Sequence, residues 1–221
     1  MTVSRRRFLE NATALGVTGM AASAGALSLL PTDNVSAQAA GGYEILSTPM
    51  NTADPEKVEV LEFFWFGCPH CFAFEPAINN YHHNKPDHVA FVREAPALNP
   101  NWEQHSRIFY AARSLDIVDQ IVEKVFDEIH LNKNRLRNPK DAGKFIESLD
   151  VGVDSDKFQK TMKSFAVDAG LRRSLQLAQQ SGITGVPAII VNGKYRTSVS
   201  MAGGHDAVIR VIERLVELET A

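Results

Sequence analysis

Two cysteines separated by a proline and a histidine carry the clearest chemistry in this sequence. Cys68-Pro69-His70-Cys71 follows an apolar run that ends at Gly67, and a helix is predicted to begin at Pro69. A spacing of three residues places both sulfur atoms within one helical turn, close enough to form a disulfide. Cys68 falls at the predicted helix N-terminus, where unpaired N–H groups and the helix dipole favour a thiolate and lower its pKa. The pattern therefore predicts a redox-active cysteine pair.

The position of Cys68 also predicts the direction of the redox reaction. A helix terminus that stabilises the thiolate stabilises the reduced protein, because a disulfide has no charge to stabilise. His70 can add a donor or a positive charge beside the sulfur, while Cys71 is more shielded inside the first turn. In the predicted reaction a substrate thiolate attacks Cys68 and expels Cys71. The second thiolate of the substrate then releases Cys68 and leaves the substrate oxidised.

Two other roles of the cysteine pair can be weighed against a redox role. A zinc site would need two more ligands, and the nearest candidates, His82 and His83, are adjacent on a helix and point in different directions. A purely structural disulfide across so short a ring would add little stability. We therefore expect no metal and no cofactor other than a Cys68–Cys71 disulfide.

A second segment supports the redox interpretation. Thr184-Gly185-Val186-Pro187 precedes an apolar run that is predicted to be a strand. A proline at the start of a strand usually only marks the edge of a sheet. A cis peptide bond between Val186 and Pro187, however, would turn backbone groups towards the cysteines. An extended substrate could then pair with Val186 as an added strand, so Val186 and Pro187 are the candidate substrate groove.

The elements around these motifs predict an α/β domain over residues 41–221. Residues 58–66 have the β-branched and aromatic character of a buried strand, and 89–93 form a second candidate strand. Helical periodicity then extends over about 101–181. A strand at 188–191, an Asn-Gly hairpin turn and a closing amphipathic helix follow. The order is a strand-helix-strand half, a helical insertion, and a hairpin-helix half.

Composition and charge exclude several classes of protein. The 221 residues, 44% of them hydrophobic and 22% charged, are typical of one globular domain. Lys and Arg number 23 against 26 Asp and Glu, a net charge of −3, and no basic block lies outside the N-terminus. We therefore expect no nucleic-acid partner. With only two cysteines, a multi-disulfide scaffold is excluded.

The N-terminal segment is predicted to be a signal peptide over residues 1–37. The basic Arg5-Arg6-Arg7 precedes an uncharged stretch of small and apolar residues at 12–30, and small residues near its end offer cleavage sites. The sequence around the arginines resembles a twin-arginine export signal, with the Sec route and an uncleaved membrane anchor as the alternatives. The mature protein is expected outside the cytoplasm, where disulfides form.

Four segments resemble the DsbA family of thiol:disulfide interchange proteins. They are LEFF at 61–64, CPHC at 68–71, GVP at 185–187 and NGKY at 192–195. The resemblance covers essentially the whole chain after the signal peptide. It implies a thioredoxin fold with an inserted helical domain, and the activity of a protein-disulfide oxidoreductase, specifically a dithiol oxidase.

The resemblance also implies roles for individual residues of the two motifs. Cys68 corresponds to the exposed nucleophile of the family, and Cys71 to its buried partner. Pro69 and His70 correspond to the dipeptide that tunes the reduction potential. Pro187 corresponds to the cis-proline of the substrate groove.

One pair of charged residues is carried over from the resemblance as well. Glu62, inside an otherwise apolar strand, matches the buried acid that the family places beneath the active site. Arg93 occupies the matching position of the next strand, where the family commonly has Lys. Because an Arg side chain stays protonated, a role in proton relay is not carried over to this pair. The alternative is that Glu62 is an unpaired residue at a strand edge.

The partners implied by the resemblance are reduced, unfolded proteins newly exported to the bacterial periplasm. A membrane quinone oxidase of the DsbB type would reoxidise the cysteine pair, and the protein would be a monomer. Two alternatives remain: an isomerase or reductase on the same fold, and a non-catalytic peptide-binding or chaperone-like module. Only about 20 residues separate the expected cleavage site from the first core strand, too few for the separate dimerisation domain of an isomerase.

Overall fold

The computed structural model describes residues 41–220, so the predicted signal peptide at 1–37 lies outside the described residues. A five-stranded sheet with the order β1-β5-β4-β2-β3 forms the centre of this region. Strands β2 and β3 are parallel, and the other neighbouring pairs are antiparallel. The strands are β1 (Tyr43–Ile45), β2 (Val58–Phe63), β3 (Val89–Glu94), β4 (Ala188–Val191) and β5 (Tyr195–Thr197).

Eight α-helices surround or extend this sheet in the described region. Five of them, α2 to α6, lie between β3 and β4 in the chain and form the helical insertion. The predicted α/β architecture with inserted helices is confirmed. The helices are α1 (Pro69–Asn84), α2 (Glu103–Ser114), α3 (Val118–His130), α4 (Pro139–Ser148), α5 (Ser155–Met162), α6 (Phe165–Gln180), α7 (Val199–Ala202) and α8 (His205–Thr220).

The two faces of the sheet are covered by different helices. On one face α1 and α8 pack through buried residues such as Phe74 and Ile212 against Val60. On the other face the end of α6 packs through Ala178 against Leu61. Burying each such large apolar side chain stabilises the fold by about 1.5–3 kcal/mol. Both faces of β2 are therefore covered, which explains why all six of its residues are buried.

The helical insertion is attached to the sheet at the end of β3. The hydroxyl of Tyr110 on α2 donates a hydrogen bond of 2.6 Å to the buried carboxylate of Glu94 and accepts one of 3.1 Å from the Ala95 N–H. Arg113 donates to the other oxygen of Glu94 at 2.9 Å. An apolar cluster continues from the end of β2 into the insertion, with the rings of Phe64 and Phe109 5.2 Å apart. The insertion thus packs next to the residues that precede the cysteine pair.

Helix α1 begins at the cysteine motif for local reasons. Cys68 is the N-cap residue and has an extended backbone, and Pro69 is the first helical residue, where a missing N–H costs nothing. The helix continues through Pro76 and ends at Asn84, two residues before Pro86. Within residues 41–220, no helix has the length and apolar character of a membrane span.

Candidate active site

The two cysteines lie at the N-terminus of α1, as the sequence predicts. Both are free thiols, and both are buried: 7% of Cys68 and 1% of Cys71 is exposed. The resemblance implied an exposed Cys68, and the structure corrects this expectation. The reason is the neighbouring loop: the carbonyl oxygen of Val186 lies 3.5 Å from the Cys68 Sγ and accepts its hydrogen bond when the thiol is protonated.

The surroundings of the two sulfur atoms drive their pKa values apart. The hydrogen bond from the Cys71 thiol is the largest influence on Cys68, and together with the N–H groups of Cys71 and His70 it outweighs burial and lowers the Cys68 pKa to about 6. The charge of His70 lowers this pKa too, but least among these causes. Burial raises the pKa of Cys71 far above its usual range, and Cys68 raises it further. At pH 7 most of Cys68 is therefore thiolate while Cys71 keeps its proton.

The loop that faces the cysteines contains the cis peptide bond anticipated from the sequence, between Val186 and Pro187. A groove of about 730 Å³ runs along this loop from the exposed His70. The base of the loop is held by Arg196, which donates hydrogen bonds to the carbonyl oxygens of Ser181 (3.0 Å) and Gly182 (2.6 Å). The groove is lined by His70, by residues 182–188 and 196–201, and by Glu44 and His205.

Beneath the cysteine pair, Arg93 bridges two buried carboxylates. Glu62 and Arg93 are partners in the parallel register of β2 and β3, and the Arg93 Nε donates to Glu62 at 2.8 Å. The Arg93 Nη2 donates to Glu75 of α1 at 2.9 Å. All three residues are buried, so Glu62 is not an unpaired residue at a strand edge.

Two buried carboxyl groups therefore share one buried guanidinium. Burial, opposed by Arg93 and assisted by the charge of Glu62, raises the pKa of Glu75 to about 8. Burial also raises the pKa of Glu62. The sequence analysis did not identify Glu75. Its position four residues after Cys71, on the same face of α1 as the apolar Ile78, was a signal that could have found it.

Aromatic and histidine side chains form the wall on the side of the insertion. Trp65 and Trp102 stack with ring centroids 4.5 Å apart, and the Trp65 ring lies 5.7 Å from that of His105. His105 and His130 have no role assigned from the sequence. Each of them has its Nε2 within hydrogen-bond distance of a backbone carbonyl, that of Arg135 (2.9 Å) for His105 and that of Phe66 (2.7 Å) for His130.

His82 and His83 have no part in this site. They lie in the last turn of α1, eleven residues after Cys71, or about 16 Å along the helix. His82 Nε2 lies 3.6 Å from Asp119 of α3. Over residues 41–220, no group of three or more potential metal ligands is found.

The NGKY motif at 192–195 has a structural role. Asn192 and Gly193 have positive φ angles in the turn between β4 and β5. Asn192, Lys194 and Tyr195 all donate hydrogen bonds to the carboxylate of Glu219 near the end of α8. This motif ties the last helix to the hairpin and does not approach the cysteines.

The mixed sheet with a helical insertion and a cysteine pair at the start of α1 is the arrangement of a thioredoxin-fold thiol-disulfide oxidoreductase. The sequence model of the DSBA-like thioredoxin domain matches residues 87–215, more than half of the chain. The chain belongs to this family.

Individual relatives agree with this assignment. The chain is 36% identical over 179 residues to the thiol:disulfide interchange protein DsbA of Pseudomonas aeruginosa, covering 81% of this chain and 84% of that protein. It is 37% identical over 179 residues to the DsbA of Pseudomonas syringae pv. tomato, covering 81% and 83%. The crystal structure of P. aeruginosa DsbA superposes with a TM-score of 0.77, covering 81% of this chain and 92% of that one.

Proposed function

We propose that this protein is a periplasmic dithiol oxidase that donates its Cys68–Cys71 disulfide to newly exported proteins. The observation that carries the proposal is the position of Cys68 as the N-cap of α1, beside the N–H groups of His70 and Cys71, with Cys71 buried in the first turn. A Cys68 pKa of about 6 stabilises the reduced form, because the disulfide gains nothing from the same N–H groups. The oxidised form is correspondingly ready to pass its disulfide to a substrate.

The proposed reaction is an exchange of two electrons and two protons. A substrate thiolate attacks the Cys68 sulfur, and the Cys68–Cys71 bond breaks with its electron pair on Cys71, which takes up a proton. The second substrate thiol, after losing its proton, attacks the substrate sulfur of the mixed disulfide. Cys68 leaves as a thiolate. The substrate dithiol is oxidised to a disulfide, and the protein disulfide is reduced to a dithiol.

The groove beside His70 is the proposed binding site for the substrate chain. Backbone groups of Val186 lie at the Cys68 sulfur and are available to an extended peptide, which would add to them as a strand. Backbone pairing does not depend on side-chain sequence, which suits an enzyme that oxidises many unfolded proteins. Pro187 has no N–H to pair with such a peptide, so Val186 would make the backbone contacts at this point.

Location and reoxidation are part of the proposal. The predicted signal peptide at 1–37 and the membership of the DSBA-like family support export to the periplasm. A membrane quinone oxidase of the DsbB type would regenerate the disulfide, and the protein would act as a monomer. We expect the exported protein, isolated from a periplasmic fraction, to begin shortly after residue 37 in mass spectrometry.

The reduction potential tests the proposed direction. The oxidised and reduced forms are equilibrated in graded glutathione buffers and quantified by thiol labelling. We expect a potential near −120 mV, the value for the DsbA oxidants, whereas a value near −270 mV, that of thioredoxin, would indicate a reductase.

The mixed disulfide can be tested separately with the variant Cys71→Ala. The single cysteine of a peptide is first activated as its mixed disulfide with thionitrobenzoate, and the reduced variant is then added. The Cys68 thiolate attacks the peptide sulfur and releases thionitrobenzoate. We expect a stable adduct between the peptide and Cys68 in mass spectrometry, since no Cys71 thiol is present to resolve it. The matched variant Cys68→Ala should give no adduct, because Cys71 is buried and protonated.

A further inference from the structure

His130 contacts the active-site segment on both sides of the cysteine pair. It is the last residue of α3, in the helical insertion, and its Nε2 lies 2.7 Å from the carbonyl oxygen of Phe66. A carbonyl oxygen only accepts hydrogen bonds, so the Nε2 of His130 carries the proton and donates it. Phe66 is two residues before Cys68, in the loop that leads into α1.

The second contact of the His130 ring is with the residue that follows Cys71. The rings of His130 and Phe72 stack in parallel, with centroids 4.7 Å apart and an angle of 7° between their planes. Phe72 lies in the first turn of α1, and its own N–H donates to the carbonyl of Cys68 at 3.0 Å. One histidine ring therefore fixes the backbone before Cys68 and a side chain after Cys71.

No other side chain of the insertion, among the residues that the structure describes, donates a hydrogen bond to segment 64–72. The neighbouring contacts of the insertion with this segment are between rings, such as the stack of Trp65 on Trp102. Rings can slide over each other at little cost, whereas a hydrogen bond to the Phe66 carbonyl fixes both distance and direction. The hydrogen bond of His130 thus fixes this loop more narrowly than the other contacts do.

We propose that His130 is a positioning residue that holds the first turn of α1 where its backbone N–H groups face the Cys68 sulfur. His130 does not touch the sulfur atoms and acts through Phe66 and Phe72. When its hydrogen bond is removed, the loop before Cys68 can move, and the N–H groups of His70 and Cys71 stabilise the thiolate less well. The insertion would then contribute to the redox chemistry as well as covering the site.

The test separates the two contacts of His130. His130→Phe keeps a ring that can stack on Phe72 but removes the donor, while His130→Gln keeps a donor and removes the ring. The Cys68 pKa is measured from the pH dependence of thiolate absorbance, and the redox equilibrium with glutathione is measured for each variant. We expect His130→Phe to raise the Cys68 pKa by about 1 unit and to make the protein about 10-fold less oxidising. His130→Gln should recover part of both changes.

Asn138→Ala is the control. It removes the N-cap hydrogen bond of α4, which the Asn138 side chain accepts from the N–H of Asp141, and this bond lies wholly within the insertion. We expect this variant to lower the melting temperature and to leave the Cys68 pKa unchanged. An equal rise of the Cys68 pKa in both variants would mean that any loosening of the insertion has this effect, and would overturn the proposal for His130.

The inference extends the proposed function and can fail independently of it. If the wild-type protein is strongly oxidising and His130→Phe has an unchanged Cys68 pKa and redox equilibrium, His130 has no positioning role but the dithiol oxidase stands. If the wild-type protein has the potential of a reductase, the proposed function fails, while a shifted Cys68 pKa in His130→Phe would still support the positioning role.

Discussion

The sheet half of the molecule and the helical insertion meet at the cysteine pair and contribute different kinds of groups to it. The sheet half provides the reactive sulfurs, the Val186 carbonyl and the buried charges of Glu62, Arg93 and Glu75. The insertion provides mostly rings, and the hydrogen bond of His130. The comparison indicates that charge and chemistry come from the sheet and its first helix, whereas the insertion covers and positions them.

The largest effect on activity is expected from the removal of Cys68. This change tests whether the sheet half carries the chemistry. Cys68→Ala should abolish the oxidation of a reduced two-cysteine protein, measured by the rate at which its free thiols disappear. Asn138→Ala, which removes the N-cap hydrogen bond of α4 in the insertion, should retain the activity. If Cys68→Ala instead leaves the activity of the protein in cells intact, the protein is a binding or chaperone-like module.

A second prediction compares a buried group of ion pairs in the sheet half with an exposed one in the insertion. Arg93→Met leaves Glu62 and Glu75 buried without a positive partner and should lower the free energy of unfolding by about 3–5 kcal/mol. Arg107→Met also breaks two pairs, each of 2.9 Å, but their carboxylates on Glu103 and Asp168 are 50% and 39% exposed, so about 1 kcal/mol is expected. Chemical denaturation measures the free energy of unfolding of both variants. Equal losses of this free energy would contradict the expected difference between the buried and the exposed pairs.

A third prediction concerns the pH dependence of stability in the reduced and oxidised forms. The Cys68 pKa is depressed in the folded protein to about 6, below its ordinary value of 9.0, so its stabilising effect is present at high pH and is lost as pH falls towards 6. We compare the free energy of unfolding of the reduced form with that of the oxidised form. The excess of the reduced form should be about 2 kcal/mol larger at pH 8 than at pH 6. Denaturation of both forms over this range measures the difference, and a flat difference would contradict a depressed pKa.

The smallest expected effect concerns His70, within the sheet half itself. Its charge lowers the Cys68 pKa less than the hydrogen bond from Cys71 does. His70→Ala should therefore raise the Cys68 pKa less than Cys71→Ala, as measured by the pH dependence of the alkylation rate. A larger rise in His70→Ala would show that the dipeptide between the cysteines is the main control on the thiolate.

The sequence was informative wherever local rules decide the structure. Helix capping and the position of Pro69 placed Cys68 at the start of α1, and runs of β-branched and aromatic residues located β2, β3 and β4, whereas β1 was not predicted. The register of two parallel strands brought Glu62 opposite Arg93, as the resemblance implied. These features depend on contacts within one element or between neighbouring strands, so they can be recognised in a short stretch of sequence.

Only the tertiary structure decided how distant segments complete the site. The burial of Cys68 depends on Val186, 118 residues away, and the hydrogen bond of His130 to Phe66 spans 64 residues. Glu75 joins Arg93 because α1 packs on the face of the sheet that carries Glu62. Such contacts depend on how whole helices dock, which is decided by the summed packing of many side chains. The sequence by itself therefore determined the reactive pair and its fold, and the docking of the loop and the insertion determined its surroundings.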